Sequence, residues 1–327
     1  MSDKTTDFKS IIGPLITGYI KEMRAVGYKY IKGASLLKQF DTLALKEHLH
    51  EKKLPKELVI SWTAKRANEA DSTRIGRISI VRGFARYMVR LGYEAYIYPA
   101  AAVTIHRYAY IPYIFSKEEL KSIFTVCDNY PISSSSPNRH LVLALIFRML
   151  YGCGLRISEA LNLKLDDIDL KQGTLFIRDT KFKKERIVPM ADTLTVRCRQ
   201  YAGKVLGSMS HPSFFFPSPY GGSYSESTIY KLFREVLWKA GISHSGKGPR
   251  LHDVRHSHSV HCLKKWVSNK GDLTNLLPYL SVYLGHNDLR GTQRYLRLTA
   301  DLYPSIIASV EDNFSSLVPE VMSHETD

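Results

Sequence analysis

The chain of 327 residues carries 46 lysines and arginines against 31 acids, a net charge of +15, with 44% hydrophobic side chains. That size and apolar content suit two packed domains and exclude a wholly disordered protein. The charge favours a polyanionic partner, with an anionic membrane surface as the rival reading.

No apolar run reaches the roughly 20 residues of a membrane span, so no membrane partner is expected. The opening Met1-Ser2-Asp3-Lys4-Thr5-Thr6-Asp7 is too polar for a secretory signal. Cys127, Cys153, Cys198 and Cys262 form no CxxC pair, which disfavours metal-site and disulfide frameworks; reduced thiols in a cytoplasmic protein are expected.

Residues 9–28 place Ile12, Leu15, Ile16, Tyr19, Ile20 and Met23 on one helical face, with Pro14 tolerated in the first turns. A second helix is expected through Leu36, Leu37, Phe40 and Leu43, and a third over about 58–67. A fourth, about 72–91, sets Ile78, Val81, Ala85, Met88 and Leu91 on its apolar side. Arg74, Arg82, Arg86 and Arg90 recur at multiples of four on a neighbouring side. With no acid interleaved, this row reads as phosphate contacts or as a solvated face.

The Tyr-, Ala- and Pro-rich stretch 93–113 reads as an extended linker. Ser116 and Glu119 then fit a capping box ahead of Leu120, Ile123 and Phe124. After a turn-rich break at 133–137, residues 138–151 form an apolar helix that Gly152 and Gly154 end sharply. Arg156 starts the next helix, which runs to about residue 163.

Strands are expected at 165–170, 174–178 and 186–189, with Lys181 at or near a hairpin tip. Helical spacing resumes over 191–205, Phe214-Phe215-Phe216 reads as a buried strand or core plug, and 228–240 is a helix. The final helices are expected at about 252–267, 272–284, 288–297 and 300–312, before an acidic, polar tail. The fold class is mainly α with a small antiparallel sheet: a helical domain over 1–105, a linker at 106–113, a second domain over 114–312 and a tail at 313–327.

Four stretches of the second domain carry chemistry. They are Gly154-Leu155-Arg156-Ile157-Ser158-Glu159, the basic run from Thr180 to Arg186, His252-Asp253-Val254-Arg255, and Leu284-Gly285-His286 with Tyr295 nine residues on. A guanidinium stays charged and donates paired hydrogen bonds to a phosphodiester. Two of them from different elements stabilise the charge of a pentacoordinate transition state. A tyrosine is a usable nucleophile given cationic surroundings and a base. A lysine on a hairpin can protonate a departing sugar oxygen. Each residue also has a plain structural reading: Arg156 as a helix cap or Glu159 partner, the histidines and Tyr295 as core. His256, His258 and His261 beside His252 invite a metal site, which Arg255 among them argues against; helix-face roles are expected instead.

In residues and in order, these stretches resemble the tyrosine recombinase (phage-integrase-like) family over about 115–312. The N-terminal part matches in size and helical character only. The resemblance implies a helical core-binding domain and a catalytic domain that close around duplex DNA as a C-shaped clamp. It implies Arg156, Lys181, His252, Arg255, His286 and Tyr295 as the catalytic set, with Glu159 orienting it. Tyr295 would be the nucleophile, Arg156, Arg255 and His286 would hold the phosphate, His252 would assist proton removal, and Lys181 would be the proton donor. Neither a metal nor a cofactor is implied.

The hairpin spells Thr180-Lys181-Phe182 where members often have Gly-Lys-Gly, so Lys183 and Lys184 are rival donors and otherwise candidate DNA contacts beside the arginine row. The long segment from Arg255 to Leu284 looks like the branch encoded by transposons and insertion sequences. Dimers or tetramers on paired DNA sites, accessory proteins, and exchange of a C-terminal helix (Leu302, Ile306, Ile307, Val310, Phe314) between protomers are further expectations from the family. The alternatives are a catalytically silent DNA-binding relative, which would be expected to lack part of the set, and a type IB topoisomerase-like enzyme.

Overall fold

The computed structural model describes residues 7–99, 111–178, 185–207, 213–246 and 248–286, together with Thr292, Tyr295 and Leu298. The chain divides into two compact units, Met1–Tyr110 and Ile111–Asp327.

The first unit holds α1 (Gly13–Ala25), α2 (Ile31–Lys46), α3 (Lys56–Thr63) and α4 (Asp71–Arg90). Ile12, Ile16, Leu37, Phe40, Trp62, Val81, Phe84 and Met88 form its core, as helical spacing requires. Leu91, expected on the buried side of α4, instead ends the helix and is exposed. Two buried charges pin the unit. Asp41 accepts hydrogen bonds from the backbone of Lys9 (2.9 Å) and Ser10 (3.1 Å), tying the leading segment to α2. Arg77 gives paired bonds to Glu69 (3.0 and 2.8 Å) and one to the Ala64 carbonyl (2.9 Å).

The leading part of the Tyr-, Ala- and Pro-rich stretch belongs to the first unit. Tyr93, Ala95, Tyr96 and Tyr98 pack on the first core, and Leu54 bridges to Ala95. Burying their rings outweighs the loop signal of the neighbouring glycine and proline.

The second unit opens with α5 (Lys117–Asp128). Its capping box is complete: Ser116 Oγ accepts from the Glu119 amide at 3.1 Å, and Glu119 Oε2 accepts from the Ser116 amide at 2.7 Å. Next come α6 (Arg139–Gly152), α7 (Ile157–Leu161), α8 (Asp192–Tyr201), α9 (Glu226–Lys239), α10 (Asp253–Ser268) and α11 (Leu273–Leu284). A short π-helical turn, Ala202–Leu206, extends α8. The strands β1 (Ile168–Asp169), β2 (Thr174–Ile177) and β3 (Arg186–Pro189) form one antiparallel sheet in that order, with Leu175 opposite Val188 and Ile177 opposite Arg186.

The first strand is shorter than the expected 165–170, because Leu165–Asp167 is a 3-10 turn closed by a bond from the Lys164 amide to the Asp167 carboxylate (3.0 Å). Phe215 and Phe216 plug the core beside Tyr201, and Phe214 makes only an isolated bridge to Lys164. Among the described residues no helix is long and apolar enough to cross a membrane.

The main core centres on the aromatic group Phe115, Phe147 and Phe233. A smaller cluster of Val260, Leu263, Leu280, Leu284, Tyr295 and Leu298 joins α10 and α11 to the helical positions that follow. That cluster sets the place of Tyr295. The expected helix at 300–312, with its exchange between protomers, and the tail at 313–327 lie outside the described residues.

Phe233 is fully buried and Trp238, on the same helix, is 75% exposed. Phe233→Ala should lower the free energy of unfolding by roughly 3–5 kcal/mol. Trp238→Ala should stay within about 0.5 kcal/mol of the parent. Urea unfolding followed by circular dichroism measures both.

Candidate active site

The site is built where α6 ends, α7 begins and the α10–α11 layer covers both. Cys153 ends α6, and Gly154 turns the chain with φ +58. A side chain there would strain the backbone and press within 2.8 Å of His258 and 2.9 Å of Leu284, so glycine is required twice over. The turn delivers Arg156 to the start of α7. Glu159, one turn in, reaches back to the Arg156 amide at 2.9 Å and accepts from its guanidinium at 2.6 Å.

Glu159 is buried among three guanidiniums. Arg186, at the base of β3, gives it two bonds (3.1 and 2.9 Å) and a third to the Tyr283 carbonyl at 2.7 Å. Arg255, only 2% exposed, lies 3.8 Å from the same carboxylate. It donates to the carbonyls of Gly154 (2.7 Å) and Leu284 (2.6 Å). Arg156 completes the ring by donating to the Gly285 carbonyl at 3.1 Å.

Burial works against the charge of Glu159, but the bonds from Arg186 and the nearby Arg156 prevail and hold its pKa at about 2. Burial, reinforced by Arg156, lowers Arg255 to about 10, so it remains a cation near neutrality. Three cations around one anion leave two positive charges at the centre of the unit.

Gly285 has φ +65, and a Cβ there would sit 2.8 Å from Arg186 Nη1. His286 follows, its amide bonded to the Ser281 carbonyl and its Nδ1 2.8 Å from Thr292 Oγ1. Tyr295 is 3% exposed; its ring stacks on His286 at 6.0 Å, and its hydroxyl lies 2.8 Å from His256 Nδ1. His252 stands at the head of α10, its ring edge-on to His256 at 4.7 Å. The protein packed around it lowers its pKa to about 4, helped by Arg255, Arg156 and Arg250, although the residue still reaches solvent. It is neutral near pH 7, and the same depression makes it a weaker base than an ordinary histidine.

The structure therefore brings together Arg156, Glu159, His252, Arg255, His286 and Tyr295. Lys181, Lys183 and Lys184 lie outside the described residues, between the paired Ile177 and Arg186. Two participants were missed. Arg186 shares strand parity with the fully buried Val188, so alternation alone marked it as inward-facing. His256 is one helical turn from His252, the spacing that places two rings on one face.

The neighbouring histidines serve packing. His258 is buried against Tyr283 and Tyr151, and His261 bonds the Tyr151 hydroxyl at 2.9 Å. Among the described residues no histidine, cysteine and carboxylate cluster has the form of a metal site.

The arginine row on α4 is not uniform. Arg74 donates to the Thr63 carbonyl at 2.8 Å, and Arg90 pairs with Glu22 of α1. Arg82 is half-buried and Arg86 is exposed. The acid that pairs with Arg90 comes from another helix, which local spacing cannot reveal.

Comparison with known proteins matches this architecture. The profile of the phage integrase family fits residues 114–301. The chain belongs to that family and is a tyrosine recombinase by descent and fold. It is 31% identical over 316 residues to the putative integrase/recombinase y4rE of Sinorhizobium fredii, covering 91% of this chain and 95% of the relative. With the tyrosine recombinase XerC of Oceanobacillus iheyensis it shares 30% over 233 residues, 69% of this chain and 70% of the relative.

Among solved structures, the XerH site-specific recombinase bound to palindromic difH substrate in a post-cleavage complex superimposes with a TM-score of 0.63 at 18% identity, over 92% of this chain and 83% of that one. The Tn1549 transposon integrase in complex with transposon right end DNA gives 0.61 at 15% identity, over 86% and 94%.

Removing the central carboxylate tests the network. Glu159→Gln should lower the unfolding free energy by roughly 3–5 kcal/mol near neutrality, as for other broken buried ion pairs. The folded-state pKa of Glu159 lies below the unfolded one, so its contribution is full above about pH 4.5 and fades as pH falls towards about 2. The gap between variant and parent should therefore close across that window in urea titrations.

Proposed function

We propose that the chain is a metal- and ATP-independent site-specific recombinase that cuts and rejoins duplex DNA through a phosphotyrosyl intermediate at Tyr295. One observation carries the reading: Tyr295, three histidines and three arginines converge from four separated stretches onto one centre with excess positive charge.

In this reading Arg156 and Arg255 hold the scissile phosphate and stabilise its extra transition-state charge, with His286 adding a hydrogen bond. Tyr295 attacks phosphorus, leaving a 3′-phosphotyrosyl link and a free 5′-hydroxyl. Lys181 protonates the departing 5′-oxygen, and His252, neutral near pH 7, takes part in proton removal. The link conserves the bond energy, so rejoining needs no nucleotide.

Arg255 and Tyr295 are both buried here, so productive binding must open the site to a phosphate. The likeness to DNA-bound recombinases supports duplex DNA as the partner, and the net charge of +15 supports its affinity. The N-terminal helical unit would act as the core-binding domain, with Arg82 and Arg86 its best phosphate contacts. Dimers or tetramers would assemble on paired sites, where exchange of the segment after Ala300 would couple assembly to cleavage. Integration, excision or transposition of a mobile element is the setting favoured by the Tn1549 likeness and by the long segment between Arg255 and Leu284.

Two outcomes are expected with nicked suicide duplexes drawn from the DNA flanking the gene. The parent protein should form a covalent adduct visible by denaturing electrophoresis, undiminished by EDTA, and Tyr295→Phe should form none. An adduct with Tyr295→Phe would sink the nucleophile assignment, and loss of the adduct in EDTA would sink the metal-free reading. Truncation after Ala300 should leave single-site binding intact and abolish assembly on paired sites, measured by gel mobility.

A further inference from the structure

The histidine nearest the nucleophile is not the one the family resemblance singles out. His256 follows Arg255 directly on α10 and lies one turn beyond His252. Its Nδ1 is 2.8 Å from the Tyr295 hydroxyl, and the two rings are 5.4 Å apart. His252 meets the His256 ring edge-on at 4.7 Å, behind this contact. The three rings thus form a row from the head of α10 to the phenol.

We propose that His256 is a catalytic residue that accepts the proton of the Tyr295 hydroxyl as the phosphotyrosyl bond forms, a role that rests on the recombinase reading above. A phenol with an ordinary pKa of about 10 is protonated near neutrality and is a poor nucleophile. In the neutral tautomer that carries its proton on Nε2, the imidazole presents its Nδ1 lone pair to the O–H and is the group placed to receive that proton. Arg255, adjacent in the chain and buried, attracts the phenolate that results.

The step balances. The Tyr295 O–H bond breaks and its proton passes to His256 Nδ1. The phenolate oxygen bonds to phosphorus as the phosphorus–5′-oxygen bond breaks. The departing 5′-oxygen takes a separate proton from the hairpin lysine. Rejoining runs the same transfers backwards, returning the proton from His256 to Tyr295.

The test compares single-turnover adduct formation on two nicked suicide duplexes, one with the natural 5′-oxygen and one with a bridging 5′-sulfur, which leaves without needing a proton. The proteins are the parent, His256→Ala, His256→Asn and Lys181→Ala. Asparagine keeps a hydrogen-bonding atom near the position of Nδ1 but does not take up a proton, and it guards against a packing defect in the alanine variant. Rates refer to the DNA-bound fraction.

Both His256 variants should be slower by about 10²-fold on both duplexes. Lys181→Ala should be slow on the oxygen duplex only. A His256→Asn rate near that of the parent would reduce His256 to a positioning residue and overturn the proposal. So would His256→Ala cleaving as fast as the parent or faster, which would make the contact a resting clasp. A defect confined to the oxygen duplex would place His256 at the leaving group and also overturn it. If the parent itself forms no Tyr295 adduct on either duplex, the recombinase reading fails and takes this inference with it.

Discussion

Glu159 is the point on which the second unit's arginine centre depends. Its carboxylate lies within ion-pair distance of Arg156, Arg186 and Arg255, which come from the start of α7, the base of β3 and the first turn of α10. Without that negative charge, three guanidiniums would repel one another in a poorly solvated space. With it, each has a fixed direction, and their remaining N–H groups bind the backbone between Tyr283 and Gly285. The same bonds therefore locate the segment that carries His286.

This arrangement explains why parts far apart in the chain behave as one device. Arg186 joins the sheet to the arginine centre, so the strand that leaves the lysine-bearing connection is anchored to the groups proposed to hold phosphate. Gly154 and Gly285 each take a left-handed backbone conformation, and each faces a neighbour that would collide with a side chain. Their requirement is local geometry and tertiary crowding together.

The burial of Arg255 and Tyr295 has a functional consequence. Tyr295, the proposed nucleophile, packs among Val260, Leu280 and Leu284, and in the proposed reaction its burial must be relieved when a phosphate arrives. The small size of that cluster beside the main core makes it the natural place for such a change. In the first unit, charge is managed differently: Arg77 is buried against Glu69, Arg90 of the row is paired with Glu22, and Arg74 donates to the Thr63 carbonyl.

Much of this was legible in the sequence. Helical spacing marked α1, α2 and α4, and the Ser116–Glu119 capping box located α5, because these features depend on residues within one or two turns. The ordered motifs around Arg156, His252, Arg255, His286 and Tyr295 marked the family, because each motif is a short stretch readable along the chain. Tertiary structure alone decided the rest. That Arg90 finds its acid on α1, that the inward-facing Arg186 meets Glu159, and that His256 rather than His252 bonds the Tyr295 hydroxyl are contacts between residues 68, 27 and 39 positions apart. Local propensity carries no information about such pairs, because which side chains meet is set by how the helices pack and not by their spacing along the chain.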